Sequence, residues 1–334
     1  MKGGERSRFI TQLDIEGLHN VKHKILSPSV PNIQQKLQNI IKTPSVIDQI
    51  KTLSNKGYSP SSLTNYIRNP IDFYYEKILG IKEFEEVEEN IAANTLGSVI
   101  HNSLEDFYEP LQGSILTVEH LKKFKSQIRE MVIKHFEKLY NKGGFSNGKN
   151  LIIFEIAQRY ISNFIDLEME SLKQGNEIEI LSIEADEEIM ITIDSLDFPI
   201  KLKGKVDRVD RFNGVTRVID YKSGKVEQNK VEIVNWEDLT TDYDKYSKSF
   251  QILCYAYMMR QNNKIELPIE AGIISFKNLN GGFLKFGKKE SAGSRKKDQL
   301  ITNETLDDFE IELKSLIIEI CNPELNFVEK DLTK

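Results

Sequence analysis

The dipeptide Asn213-Gly214 constrains this chain more than any other pair of residues. Both types tolerate positive φ, which a two-residue type I′ turn demands at its two central positions. Alternating sequences flank it, Gly204-Lys-Val-Asp-Arg-Val-Asp210 before and Val215-Thr-Arg-Val-Ile-Asp-Tyr-Lys222 after. A two-residue turn fixes the hairpin register: Phe212 opposes Val215, Asp210 opposes Arg217, Val209 opposes Val218 and Asp207 opposes Asp220. Two carboxylates then face each other with Cβ atoms roughly 4.5–5.5 Å apart, which is destabilising unless one is protonated or a cation lies between them.

Hard carboxylate oxygens suit magnesium or manganese. Lys222 follows Asp220 by two residues and so shares its face, roughly 7 Å further along the strand. Two acids and a lysine on one sheet surface are the parts needed to bind a metal, orient water and neutralise a phosphoryl transition state. The bland alternative is a solvent-facing ladder in which Lys222 offsets Asp207 and Asp220. Asp210 across from Arg217 reads as an ordinary cross-strand ion pair. The register gives Asp220-Tyr-Lys222 its weight, because the similar Glu312-Leu-Lys314 lies in a helical pattern with no acid opposite.

Two helical pairs have the character to complete such a site. In the segment from Gly97 to Glu105, positions 97, 101 and 105 share a helix face. There His101 is a candidate metal ligand, Glu105 an acid to orient it, and Gly97 a point of close approach. Alone, His101 reads as a packed or surface histidine. Gln251 and Tyr255 form another i, i+4 pair, which without context would be core-edge residues.

Along the chain, residues 1–58 are polar and mixed, broken at Pro28, Pro31 and Pro44, with one amphipathic stretch from Ile33 to Ile41. Ser59-Pro60-Ser61-Ser62 then starts a helical segment interrupted at Pro70. The run Glu83, Glu85, Glu86, Glu88 and Glu89 reads as a solvated loop face. Helical patterns follow at about 92–109, 117–141 and 150–174, and from Ile178 the period changes to two. After the hairpin come a helix from Phe250 to Met259, a strand from Ile269 to Phe276 and a closing helix at 304–321. The order predicts an α/β fold: a lead-in or linker at 1–58, then one domain with a helical part at 59–175 and a catalytic core at 176–334.

Several classes are excluded. Cys254 and Cys321 cannot make a disulfide framework or a four-thiolate site, and His19, His23, His101, His120 and His135 have no zinc-finger spacing. No apolar region follows MKGGERSRF, and no run approaches ~18 apolar residues, so a cytoplasmic chain with no membrane association is expected. The net charge of -6 excludes only a uniformly basic nucleic-acid binder. From Lys277 to Lys297 the chain carries Lys285, Lys288, Lys289, Arg295 and Lys296 against the single acid Glu290, with Phe276, Phe283 and Phe286 nearby. This stretch reads either as a groove wall for a DNA strand or as a solvated hairpin and loop.

In order, GxxxH (Gly97 to His101), GKVDRVD (Gly204 to Asp210), IDYKSG (Ile219 to Gly224) and QxxxY (Gln251 to Tyr255) resemble the RecB-type branch of the PD-(D/E)XK nucleases. The upstream SPSSLTNYIRNPIDFYYEKILGI, residues 59–81, is similar to the segment preceding the C-terminal nuclease domain of AddB-like helicase–nuclease subunits. The resemblance covers roughly residues 58–330. It implies a metal-dependent DNA nuclease in recombination or repair, with a restriction-endonuclease-like αβββαβ core, a mixed central sheet and an N-terminal helical elaboration.

By motif, His101, Asp207, Asp220 and the backbone carbonyl of Tyr221 would hold Mg2+ or Mn2+. Lys222 would position or activate the attacking water, and Gln251 and Tyr255 would contact the nucleic-acid backbone or support the site. Many such relatives hold an iron–sulfur cluster through a cysteine before the proline of this upstream segment and three more near the C-terminus. Here Asn69 precedes Pro70 and only Cys321 lies nearby, so no cluster is expected. The resemblance also implies a helicase-like region or subunit as partner, with this chain the C-terminal part of something longer. A catalytically silent DNA-binding module is the alternative from another class, and no residue excludes RNA as substrate.

Overall fold

Asn213 and Gly214 both adopt positive φ, 49° and 86°, and close the hairpin as a two-residue turn. The strands on either side pair in the register their sequence predicts, from Phe212↔Val215 through Asp210↔Arg217 and Val209↔Val218 to Arg208↔Ile219. The computed structural model describes residues 7–17, 22, 37–81, 91–140, 144, 145 and 147–332. The acidic run at 83–89 and residues 33–36 of the Ile33–Ile41 stretch lie outside the described residues.

The chain divides into two units, residues 1–36 and 37–334. The first contains a helix, Arg8–Glu16, without buried residues. In the second, the main helices are α1 (Pro44–Lys56), α2 (Pro60–Arg68), α3 (Ala93–Tyr108), α4 (Val118–Leu139), α5 (Gly148–Lys173), α6 (Tyr243–Gln261) and α7 (Asn303–Cys321). Its principal strands are β1 (Ser114–Ile115), β2 (Ile178–Ile191), β3 (Ile200–Phe212), β4 (Val215–Lys222), β5 (Glu270–Ser275) and β6 (Phe283–Lys285). They form one six-stranded sheet in sequence order, antiparallel throughout except for the parallel β4–β5 pair. This mixed sheet with α3, β2-β3-β4, α6 and β5 as its nucleus is the expected restriction-endonuclease-like fold.

Helix starts follow local chemistry. Ser59 caps α2 reciprocally with Ser62 ahead of Pro60, and Thr302 and Thr305 do the same for α7. Asn69 ends α2 and its side chain accepts from the Ile71 amide, so the expected break at Pro70 is a re-capped turn. The helix expected at Phe250 begins earlier, at Tyr243, where Asp242 Oδ1 accepts from the Lys245 amide. Its second half is buried on nearly every face, from Ser249 to Met259, so its apolar run has no helical stripe to mark where it starts.

Two cores lie on opposite faces of the sheet. One packs α1, α2, α6 and α7 against Leu202, Val206, Val209 and Val218. The other packs α3, α4 and α5 against Ile178, Ile180, Ile219, Tyr221 and Ile274. Residues 37–58, expected as part of a lead-in, belong to this body: Val46, Ile50 and Tyr58 join the first core. No helix among the described residues is long and apolar enough to cross a membrane.

Candidate metal centre

The antiparallel ladder between β3 and β4 ends at Arg208↔Ile219, one step before the two aspartates. There the backbone N–H of Tyr221 donates to Asp207 Oδ2 at 2.6 Å. The carboxylate thus replaces a strand carbonyl and is fixed at the point where the strands part. Asp220 is buried beside it at 1% exposure. Lys222 Nζ folds back to lie 2.8 Å from Asp220 Oδ1 and 2.6 Å from Oδ2. Only the first contact has hydrogen-bond geometry, so Oδ2 is a buried acceptor without a hydrogen-bond donor.

Helix α3 brings His101 to this strand end. Gly97, one turn earlier, allows the approach: a Cβ there would stand 3.2 Å from Ser223 Oγ. His101 Nε2 lies 3.1 Å from the Tyr221 carbonyl oxygen. A carbonyl only accepts, so Nε2 carries the proton, and in the neutral ring Nδ1 keeps its lone pair. Nδ1 faces the acids, 3.5 Å from Asp207 Oδ2 and 4.0 Å from Glu184 Oε1. A carbonyl orienting a metal-binding imidazole through its far nitrogen is a recurrent arrangement.

Glu184 is the residue that sequence reasoning missed. His101, Glu184 and Asp207 each offer a ligand atom, and all three atoms lie within 4.8 Å of one another. Glu184 sits on β2 with φ 48°, a left-handed conformation that a side-chain-bearing residue holds only when its surroundings impose it. Lys205 Nζ contacts its Oε2 at 3.0 Å.

Charge is concentrated here. Burial and the Asp207 charge raise the Glu184 carboxyl above the usual range, although Lys205 and His101 pull the other way. Burial likewise raises Asp220, opposed by Lys222 and reinforced by Asp207. Burial would lower His101, but the charges of the adjacent Asp207 and of Asp220 outweigh that and raise it. Oxygen donors with one imidazole, two acids lifted by burial and by the Asp207 charge, and an Asp220 oxygen without a hydrogen-bond donor together fit a hard divalent cation.

The other expected residues are distributed around this centre. Gln251 Nε2 donates to the Tyr255 hydroxyl at 2.8 Å on α6, which crosses β3 closely because Gly204 has no Cβ. A Cβ at Gly204 would meet Met258 Cε at 2.8 Å and Tyr255 Cε1 at 3.1 Å. Glu105 does not orient His101; it faces Lys205 at 3.7 Å. The basic stretch is not brought to the centre. Lys285 pairs with Glu270, Lys289 and Lys297 share Glu232, and Lys288 Nζ donates to the Val234 carbonyl. Phe276 and Phe286 are buried in the cores, not presented for stacking.

Asp210 and Arg217 do pair across the strands, at 2.7 and 2.8 Å, but as part of a buried network. The fully buried Arg208 contacts Asp210 and Glu168, each at 2.7 Å, and lies 4.9 Å over the Tyr108 ring. Tyr108 donates its hydroxyl to Glu168. This network fastens α3 and α5 to the face of β3 behind the candidate centre.

A mixed sheet whose central strands part at clustered acids, with a lysine two residues beyond one acid, defines a metal-dependent phosphodiesterase architecture. The PD-(D/E)XK nuclease superfamily pattern matches residues 58–331, and the chain belongs to that superfamily. A search among curated proteins returned no match.

Proposed function

We propose that the chain is a DNA nuclease of the RecB type, dependent on Mg2+ or Mn2+, that hydrolyses phosphodiester bonds in recombination or repair. One observation carries the reading: ligand atoms of His101, Glu184 and Asp207 within 4.8 Å of one another, beside the Asp220–Lys222 pair. A divalent cation held by these residues would supply Lewis-acid stabilisation of the charge that develops on the phosphoryl oxygens.

The protein's own groups do the rest. The Tyr221 carbonyl fixes the His101 ring, and the Tyr221 amide fixes Asp207, so neither must reorganise during the reaction. Lys222 is half-buried and in contact with Asp220, which suits it to orient the attacking water and offset charge on the phosphate. Attack by water forms one P–O bond and breaks the bond to the leaving deoxyribose oxygen, which takes up a proton, giving a phosphomonoester and an alcohol. Gln251 and Tyr255 support the rim from α6, and a helicase-like region or subunit is the partner this reading expects.

The test uses end-labelled linear and circular DNA, single- and double-stranded, incubated with magnesium, manganese or chelator. Cleavage with either metal and none with chelator is expected. Binding without turnover in excess manganese would replace this reading with a catalytically silent DNA-binding module.

A further inference from the structure

Lys222 faces two ways. Besides pairing with Asp220, it borders a groove of about 390 Å³ between α2 and the first turns of α6. Thr64 and Arg68 line it from α2, Lys248 and Gln251 from α6, and Lys77 from the segment after Pro70. The carboxylate at this groove, Glu76, is already held by the Asn65 amide at 2.8 Å and by Lys77.

The cations at the groove are under-compensated. Lys248 is half-buried, yet among the described residues no carboxylate pairs with it and no carbonyl accepts from it. Burial and the neighbouring Lys222 charge hold its ammonium below the usual lysine range, although the Asp220 carboxylate pulls the other way. Arg68 is exposed, and its recorded contact among the described residues is the Tyr243 ring, 5.9 Å from the guanidinium carbon. Half-buried ammonium groups normally find an acid or a carbonyl, because desolvating an unpaired charge is costly. An anion lying along the groove would satisfy Lys248 and Arg68 together, and Lys222 makes the groove continuous with the candidate centre.

We propose that this groove binds a phosphate of the nucleic-acid strand adjacent to the one being cleaved, with Lys248 as its principal cation and Arg68 as the outer contact. The inference rests on the nuclease reading only for what lies next to the groove. The phosphate is either an internal diester or a terminal monoester, and both present the same anionic oxygens to Lys248.

The experiment is fluorescence anisotropy of a 3′-labelled single-stranded oligodeoxynucleotide, with and without a 5′-phosphate, titrated with the full chain in chelator over a range of potassium chloride. Lys248→Gln is expected to weaken binding on the order of tenfold and to reduce the salt slope by about 1. Lys248→Arg should restore the slope, and Arg68→Gln, at an exposed position, should give a smaller loss. A loss confined to the 5′-phosphorylated strand supports a terminal phosphate; an equal loss on both supports an internal one. Wild-type affinity and slope in Lys248→Gln overturn the proposal, as does a wild-type chain that fails to bind at low salt. Lys248-dependent binding by a chain that never cleaves would sink the nuclease reading alone. Cleavage with unchanged binding in Lys248→Gln would sink the groove alone.

Discussion

Asp207 Oδ2 accepts the backbone N–H of Tyr221 at 2.6 Å, so one carboxylate both ends a strand ladder and belongs to the candidate metal centre. The two roles separate by mutation. Asp207→Ala leaves a buried amide without an acceptor and is expected to cost about 1–3 kcal/mol of stability. Asp207→Asn keeps an acceptor oxygen and should stay within about 1 kcal/mol of wild type. Both should lose cleavage. Urea unfolding beside the nuclease assay checks this, and equal destabilisation by the two variants would contradict it.

Glu184 carries the second prediction. Its left-handed backbone and its place beside His101 and Asp207 make it a candidate ligand. Glu184→Gln is expected to weaken Mn2+ binding on the order of tenfold, read by isothermal titration calorimetry. Unchanged metal affinity would remove Glu184 from the centre.

The hairpin and the acids at its end were legible because turn chemistry and strand period are local. Asn213-Gly214 set the register, and Asp207, Asp220 and Lys222 followed from counting. Glu184 was not legible, for a specific reason. The pairing of β2 with β3 shifts between Ile180 and Ser182, so counting from either end of β2 gives different faces. Beyond Glu184 the parity changes again: Ile183 and Ile189, six residues apart, lie in opposite cores. On β3, Val206 and Val209 share one core although strict alternation would separate them.

The roles of Glu105 and the Lys277–Lys297 stretch were obscure for a different reason. Charge in a sequence does not say whom it faces, and Lys205, Glu270 and Glu232 meet these residues from other strands. Likewise, the Asp210–Arg217 pair was visible, but its burial depends on α3 and α5 supplying Tyr108 and Glu168.

That buried network gives the third prediction. Arg208→Met removes the cation shared by Glu168 and Asp210 and leaves their buried charges under-compensated. A loss of about 3–5 kcal/mol in urea unfolding is expected. A neutral or stabilised variant would mean that apolar packing replaces the network without cost.

Lys42 gives a pH dependence. Its ammonium donates to the Glu319 and Asn322 carbonyls at the end of α7, yet burial lowers its pKa from 10.5 to about 8. Above about pH 8 the folded Lys42 loses its proton while the unfolded one keeps it, so this group makes stability rise with pH. Burial pushes the Cys321 thiol from 9.0 up to about 11, and its contribution falls with pH from about 9 upward. The clean window is therefore between pH about 8 and about 9. There wild-type stability should climb relative to Lys42→Met, and parallel pH profiles from urea midpoints would refute the assignment.

The most direct test of the central claim is cleavage of end-labelled DNA by the wild-type chain and by Asp220→Ala, each with magnesium, manganese or chelator. Wild-type cleavage is expected with either metal, none with chelator, and none from Asp220→Ala in any condition. Robust cleavage by Asp220→Ala, or by the wild-type chain in chelator, would contradict it.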